Sequence, residues 1–317
     1  MRALVIGAGG FVGRHLVAHL QESGDEVYSG LLSLDVEGPR ELYTDITEPQ
    51  SLREAFAQCN PDTVYLLAGM AFVPEAEKDL QGAIQVNVLG VANVAKICAE
   101  MLPSGGALVF ASSAEVYGAI SEADLPIAES TPIRPGNNYS LSKCMGELAL
   151  ERYINDFHRV RRIVVRPFNH IGVGQDSRFV SANFARQLAL IAHGLADPVL
   201  KVGNLEARRD FSDVRDVVKA YRLLAEGARG VFNIGSGEAV SIASILESLI
   251  KISGLTVRVE QDETRMRPSE VPEIYGSYTK IRQTCGWTPQ IPLLDTLGVV
   301  YRYWYETIGA QKAEATI

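Results

Sequence analysis

Cysteine is scarce in this chain: four among 317 residues, at Cys59, Cys98, Cys144 and Cys285. No two have CxxC or metal-ligand spacing, and a chain this long needs no covalent staples. Four free thiols in a reducing compartment, and no metal site, are expected. Long apolar runs are missing too. The longest strongly apolar stretch lies near 64–73, too short to cross a bilayer. There is no basic excess: 30 Lys and Arg stand against 38 Asp and Glu, a formal net charge of −8. Such a chain repels a phosphate backbone, which argues against general nucleic-acid binding. The opening residues MRALVIGAGG read as a strand rather than a signal peptide. What is present, 47% apolar and 21% charged residues, is the composition of a folded globular chain and not of a disordered one. A cytoplasmic protein is expected, with two domains or one large α/β domain carrying an elaboration.

The apolar pattern alternates strand and helix. Strands are expected at 3–6, 26–30, 63–67, 107–112 and 162–166, with helices at 14–23, 51–58, 82–101 and 139–157. This alternation implies right-handed crossovers and a doubly wound parallel sheet, α/β and Rossmann-type. After Pro167 the rhythm breaks. Helices are expected near 181–194, 211–226, 241–254 and 293–307, and strands at 230–233 and 256–260. The expected division is a dinucleotide-binding domain, 1–166 with about 207–236, and a smaller interleaved substrate domain, about 167–206 with 237–317. There is no internal repeat and no linker between independent modules.

Directly after the first strand come Gly7, Gly10 and Gly13 at GxxGxxG spacing, opening the first helix. Glycines there permit a tight turn and close approach of backbone to a pyrophosphate. The helix start at Phe11 and Val12 adds free N–H groups and the positive dipole end. Dinucleotide binding follows, against the alternative of a glycine-rich turn with no ligand. Asp45 and Ile46 resemble the pair that brackets adenine in such folds, against a plain loop. The end of the second strand should carry an acid for NAD or a neighbouring Arg for NADP. Gly30, Leu31 and Leu32 supply neither, so NADH and NADPH both stay open.

Tyr139 and Lys143 are spaced i, i+4, which puts them on one helix face. Ser113 ends the earlier strand, at the carboxyl edge of the sheet where ligands bind in doubly wound folds. A tyrosine hydroxyl titrates near 10. A neighbouring ammonium is expected to lower that value and make the hydroxyl usable in proton transfer, while Ser113 hydrogen-bonds a substrate oxygen. The alternative is a surface pair without chemistry.

The glycine pattern, Ser113 and the string YSLSK at 139–143 together resemble the extended short-chain dehydrogenase/reductase family, over essentially the whole chain. The resemblance implies Tyr139 as proton donor or acceptor, Lys143 on Tyr139 and the nicotinamide ribose, and Ser113 on the reacting carbonyl. Leu67, Ala68, Gly69 and Asn87 match family positions near the cofactor; for Asn87 a backbone-holding role is the alternative. The two long helices, with Val88, Val91, Val94 and Ile97 expected beyond a single core-facing stripe, need a second partner; the family resemblance implies that this is a four-helix bundle in a homodimer.

Three later segments, RPFNHIGVGQ at 166–175, VGNLEARRDF at 202–211 and RPSEV at 267–271, offer an amide, several guanidiniums and a carboxylate. Such groups suit phosphates and sugar hydroxyls. The strings resemble the GDP-sugar branch of the same family. That implies Asn169 and Arg209 on the diphosphate, Phe179 and Val180 lining the nucleotide pocket, and Arg267 and Glu270 on phosphate and ribose. Arg208 is expected to face elsewhere and His170 to support rather than react. The activity implied is NAD(P)H-dependent reduction of the C4 ketone of a GDP-4-keto-6-deoxyhexose. The alternatives are a GDP-mannose 4,6-dehydratase, for which Glu115 would be the base, and a non-catalytic dinucleotide sensor. Ala114, between Ser113 and Glu115, has no proton to give to a C6 hydroxyl, which weighs against the dehydratase.

Overall fold

The computed structural model describes residues 1–33, 38–265 and 272–314. The chain runs β1 (Arg2–Ile6), α1 (Phe11–Glu22), β2 (Glu26–Leu31), β3 (Glu41–Tyr43), α2 (Pro49–Cys59), β4 (Thr63–Leu66), α3 (Val73–Lys78), α4 (Leu80–Ile84), a π-helical turn Gln85–Gly90, α5 (Val91–Met101), β5 (Ala107–Ala111), α6 (Asn138–Tyr153) and β6 (Arg161–Pro167). Then follow β7 (Asn169–Ile171), α7 (Val180–Ala192), β8 (Val199–Val202), β9 (Arg208–Arg209), β10 (Phe211–Asp213), α8 (Val214–Gly227), β11 (Gly230–Ile234), β12 (Val240–Ser241), α9 (Ile242–Ser253), β13 (Arg258–Gln261), β14 (Glu273–Ile274), α10 (Thr279–Cys285) and α11 (Leu293–Glu314).

Seven strands form one parallel sheet in the order β11-β6-β5-β4-β1-β2-β3. β1, β4, β5 and β6 are near-continuous buried apolar runs, because helices cover both faces. On one face Val5, Tyr65, Val109 and Val165 pack against Leu16 and Leu20 of α1 and Val217, Tyr221 and Leu224 of α8. On the other, Leu4, Leu66, Leu108 and Val164 pack against Phe56 of α2, Val91, Val94 and Ile97 of α5, and Leu150 of α6. A third core joins α7, α9 and α11 through Phe184, Leu188, Leu246, Leu249 and Val300. The sheet order reverses direction between β1 and β4, and in open α/β sheets the ligand crevice lies at such a point, at the carboxyl ends of the strands.

Several elements differ from the sequence expectation. Strand β3 was not foreseen: three residues carry too little pattern. Residues 211–213 are strand, not helix, because Phe211–Asp213 pairs in parallel with Asn169–Ile171. The helix expected over 82–101 is interrupted by the π turn at Gln85–Gly90. Val91, Val94 and Ile97 do not lie outside the core stripe; all three are buried against the protomer's own sheet, and Val88 is half-buried. Exposed leucines are instead Leu89 of the π turn and Leu141 and Leu148 of α6. Helical residues Leu80–Met101 are long and apolar enough to cross a membrane by length and composition, but here they pack on the sheet and on α2 and α6.

Candidate active site

The sheet's first turn is built by exclusion. Gly7 has φ +93°, and a Cβ there would sit 2.7 Å from the Ala68 nitrogen. A Cβ on Gly13 would run into the Gly7 carbonyl. The amides of Gly7 and Ala8 both donate to Gly30 O, at 3.0 and 3.1 Å, and those of Leu67 and Ala68 to Ile6 O, at 2.9 and 3.0 Å. β1, β2 and β4 thus deliver their ends to one place. α1 starts there at Phe11 and Val12 with Gly10 as N-cap and no side-chain cap bond, so its first amides point outward without an intrahelical acceptor. A bare backbone surface at a helix N-terminus fits a pyrophosphate.

Neighbouring groups converge on this cradle. A Cβ on Gly69 would lie 2.9 Å from Asn87 Oδ1 and 3.2 Å from Lys143 Nζ. Asn87 is buried in the π turn and binds both polar atoms of Met70, accepting from its N–H at 2.9 Å and donating to its carbonyl at 3.0 Å. It also donates to Ser142 Oγ at 2.9 Å. Ile46 packs on Gly90 of the same turn, and Asn93 Nδ2 donates to Ile46 O at 2.9 Å. Asp45 turns its Oδ1 to its own loop, accepting from the Thr47 N–H and hydroxyl at 2.8 and 2.7 Å. On the far side, Phe11 stacks on His170 with centroids 6.1 Å apart. His15 meets Val173 O at 2.8 Å, and Arg14 donates to Gly174 O at 3.3 Å. His170 Nδ1 lies 3.0 Å from Phe168 O, and burial lowers its pKa, so the ring is a neutral wall.

Ser113, Tyr139 and Lys143 meet at the carboxyl end of β5. Ser113 is buried and caps the 3-10 turn Ala114–Tyr117, its Oγ accepting from the Glu115 N–H at 3.1 Å. Tyr139 stands in the first turn of α6, where Asn137 and Ser140 cap each other reciprocally. Lys143, one turn on, donates to Ala111 O at 2.9 Å and lies 6.0 Å from the Tyr139 ring centre. Burial pushes the Lys143 ammonium down to about 8, against the charge of Glu147, which raises it. The expected lowering of Tyr139 by this ammonium is not what the structure holds. Burial pushes Tyr139 up to about 12; the Ser113 hydroxyl works against this and the Glu115 charge adds to it. Desolvation disfavours the phenolate more than its neighbours favour it. Tyr139 is therefore a protonated phenol at neutral pH, a donor rather than a base.

One set of buried groups behind this trio was not read from the sequence. Glu147 takes a two-point pair from Arg166, Nε to Oε1 at 2.9 Å and Nη2 to Oε2 at 2.6 Å, and accepts from Ser112 Oγ at 2.5 Å. Arg166 Nη1 donates to Tyr117 OH at 3.0 Å, and Tyr117 donates to Asn233 Oδ1 at 2.7 Å. The available signal was spacing: Glu147 follows Lys143 by one more turn of the same helix.

Across the crevice, Glu115 is exposed and acts electrostatically on both Tyr139 and Arg209. Arg209 is half-buried on β9, its Nη1 donating to Arg208 O at 2.7 Å and Pro272 O at 3.3 Å. Arg208 faces away, pairing with Glu273 at 3.4 Å and Ala239 O at 2.7 Å. Buried Asp210 anchors this strand, accepting from the N–H groups of Ser236, Gly237 and Gly276. Asn169 is exposed on β7. Phe179, also exposed, caps α7 ahead of Val180 and meets Phe72 edge-on at 5.8 Å, with Arg178 over the Phe72 ring at 4.6 Å. Arg267 and Glu270 lie outside the described residues.

A family model described as GDP-mannose 4,6 dehydratase matches residues 4–298. A GDP-6-deoxy-D-mannose reductase from Pseudomonas aeruginosa is 38% identical over 96% of this chain and 97% of its own length. A GDP-6-deoxy-D-talose 4-dehydrogenase from Aggregatibacter actinomycetemcomitans is 31% identical over 96% of this chain and 93% of its own. Among solved structures, that of RMD from Pseudomonas aeruginosa complexed with NADPH superposes with a TM-score of 0.86, at 34% identity, over 96% of this chain and 99% of that one. By sequence and fold together, the chain belongs to the GDP-mannose 4,6 dehydratase family of extended short-chain dehydrogenase/reductases.

Proposed function

We propose that the protein is a reductase that converts the C4 ketone of a GDP-4-keto-6-deoxyhexose to an alcohol, using NAD(P)H. The observation that carries the reading is the convergence of Ser113, Lys143 and a protonated, buried Tyr139 beside the glycine cradle. The two quoted relatives are named for redox chemistry on GDP-6-deoxyhexoses, which supports the same reading.

The amides at Phe11, Val12 and Gly13 would hold the pyrophosphate, and Gly7 and Gly10, whose amide donates to Gly7 O at 3.1 Å, would let it approach. Asp45 and Ile46 would flank adenine, Leu67, Ala68 and Gly69 would line the cofactor groove, and Asn87 would fix that segment. A bound nicotinamide supplies the hydride. Tyr139 gives its proton to the forming C4 alkoxide and Ser113 hydrogen-bonds the same oxygen. Lys143 keeps a positive charge near the tyrosine and would meet the nicotinamide ribose. Asn169 and Arg209 would hold the diphosphate, Phe179 and Val180 the base, and Arg267 and Glu270 phosphate and ribose. Glu115, between Tyr139 and Arg209 in charge terms, would shape the sugar subsite.

In this reading residues 1–166 with 207–236 bind the dinucleotide, and 167–206 with 237–317 bind the substrate. Two copies would pair through the exposed leucines Leu89 of the π turn before α5 and Leu141 and Leu148 of α6, and the protein would work in the cytoplasm. A 4,6-dehydratase is the second reading, favoured by Glu115 at the mouth of the site. Ala114 beside it offers no acid, which supports the reductase.

One assay decides. Purified protein is given the GDP-4-keto-6-deoxy sugar with NADH or with NADPH, and separately GDP-mannose with oxidised cofactor. The reductase consumes one reduced cofactor per GDP-D-rhamnose, or its C4 epimer, formed. Keto-sugar accumulating from GDP-mannose would establish the dehydratase instead, and no turnover in either arm would leave a sensor.

A further inference from the structure

Three side chains of α6 reach the end of β5 in succession, each one helical turn after the last. Tyr139 faces the site. Lys143 holds the carbonyl of Ala111 at 2.9 Å, and Glu147 holds the hydroxyl of Ser112 at 2.5 Å. Both residues ahead of Ser113 are thereby tied to the helix that presents Tyr139. Ser113 itself accepts from the Glu115 N–H, and its hydroxyl bonds to Tyr139.

The Glu147 carboxylate is held in turn. Arg166 of β6 grips both its oxygens, and Tyr117 and Asn233 brace the guanidinium. All of these groups are buried. A two-point Arg–carboxylate pair is geometrically rigid, and a fully satisfied buried network fixes one arrangement of its members. The network adjoins the catalytic groups at Ser112, next to Ser113, and through the charge of Glu147 on Lys143.

Resting on the reductase reading, we propose that Glu147 is a positioning residue. It locks the Ser113-bearing strand end to the Tyr139-bearing helix, and supplies the negative charge that keeps the buried Lys143 ammonium in place. The titratable groups around this face are Tyr139, Cys144 and Glu147 on α6, Glu115 beyond β5, Arg166 on β6 and Tyr221 on α8. Of these, Glu147 is the one whose charge acts on Lys143, raising an ammonium that burial lowers.

Two measurements test it, one free of catalysis. In protein carrying 13C-labelled lysine and no cofactor, the Cε resonance lost in Lys143→Met is followed against pH. Its midpoint, about 8 in the parent chain, is expected to fall by about one pH unit in Glu147→Gln, because the opposing charge is gone. The double variant Glu147→Gln/Arg166→Gln leaves no unpaired charge from the Glu147–Arg166 pair itself, and serves the same measurement if the single variant does not fold. An unchanged midpoint overturns the electrostatic half of the proposal.

The second measurement is steady-state kinetics of Ser112→Ala, which leaves the Glu147–Arg166 pair whole. The expected result is a kcat lower by about 10- to 100-fold with KM unchanged, the scale of a misplaced catalytic group; wild-type kcat overturns the positioning half. Failure of the unaltered protein to reduce the keto-sugar would remove the reductase reading alone, since the lysine midpoint is read without turnover.

Discussion

The Lys143 ammonium is a charge that the fold holds at a cost, and the cost can be measured. Lysine ordinarily titrates at 10.5; burial brings Lys143 to about 8. Below pH 8 both folded and unfolded chains carry the proton, and the folded state bears the whole penalty of about 3 kcal/mol. Between pH 8 and 10.5 the unfolded chain binds the proton and the folded chain does not, so folding stability rises with pH across that window. Above 10.5 both are neutral and the penalty is gone. Lys143→Met keeps the side chain as far as Cε and removes the titration. Urea unfolding of both proteins at a series of pH values should show the parent gaining about 3 kcal/mol on the variant between pH 8 and 10.5. The same variant should lose turnover. A stability difference that stays flat across the window would refute the placement of a buried, charged lysine at this point.

Tyr139→Phe keeps the ring and removes the proton donor; kcat should fall by roughly 10²–10⁴, read by oxidation of the reduced cofactor, with KM for the nucleotide sugar little changed. Gly13→Ala puts a methyl group against the Gly7 carbonyl; isothermal titration should show dinucleotide binding lost while circular dichroism stays that of the parent. Leu148→Glu places a charge on the exposed face of α6, where Leu148 is 67% exposed in the single chain; light scattering should report monomer in place of dimer.

Local patterns carried the parts of the fold that local forces make. The run Ala3–Ile6, the glycines after it and the Tyr139–Lys143 spacing all state their geometry within a few residues. Short strands do not. Val240–Ser241 and Glu273–Ile274 are strands only because both pair with Arg208–Arg209, and nothing in two residues announces a partner as much as 65 residues away. Phe211–Asp213 was absorbed into the following helix for the same reason. The α5 valines were misplaced because apolar spacing shows how much of a helix is apolar and not which side is covered. The proton affinity of Tyr139 is not legible in the sequence, where a nearby ammonium is visible and burial, the larger effect, is not. The Glu147–Arg166 pair joins a helix to a strand across nineteen residues, and only the folded chain brings it together.

The π turn at Gln85–Gly90 acts as a phase adjuster. An α-helix advances about 100° per residue, so one wide turn rotates everything after it relative to everything before it. Within the turn, Asn87 is aimed at Met70 and Ser142. Downstream, Val91, Val94 and Ile97 are aimed at the sheet. A uniform helix could satisfy one of these targets but not both. Residues between 85 and 90 can therefore be exchanged more freely than they can be counted: deleting one would restore a regular helix and swing either Asn87 or the core side chains out of register.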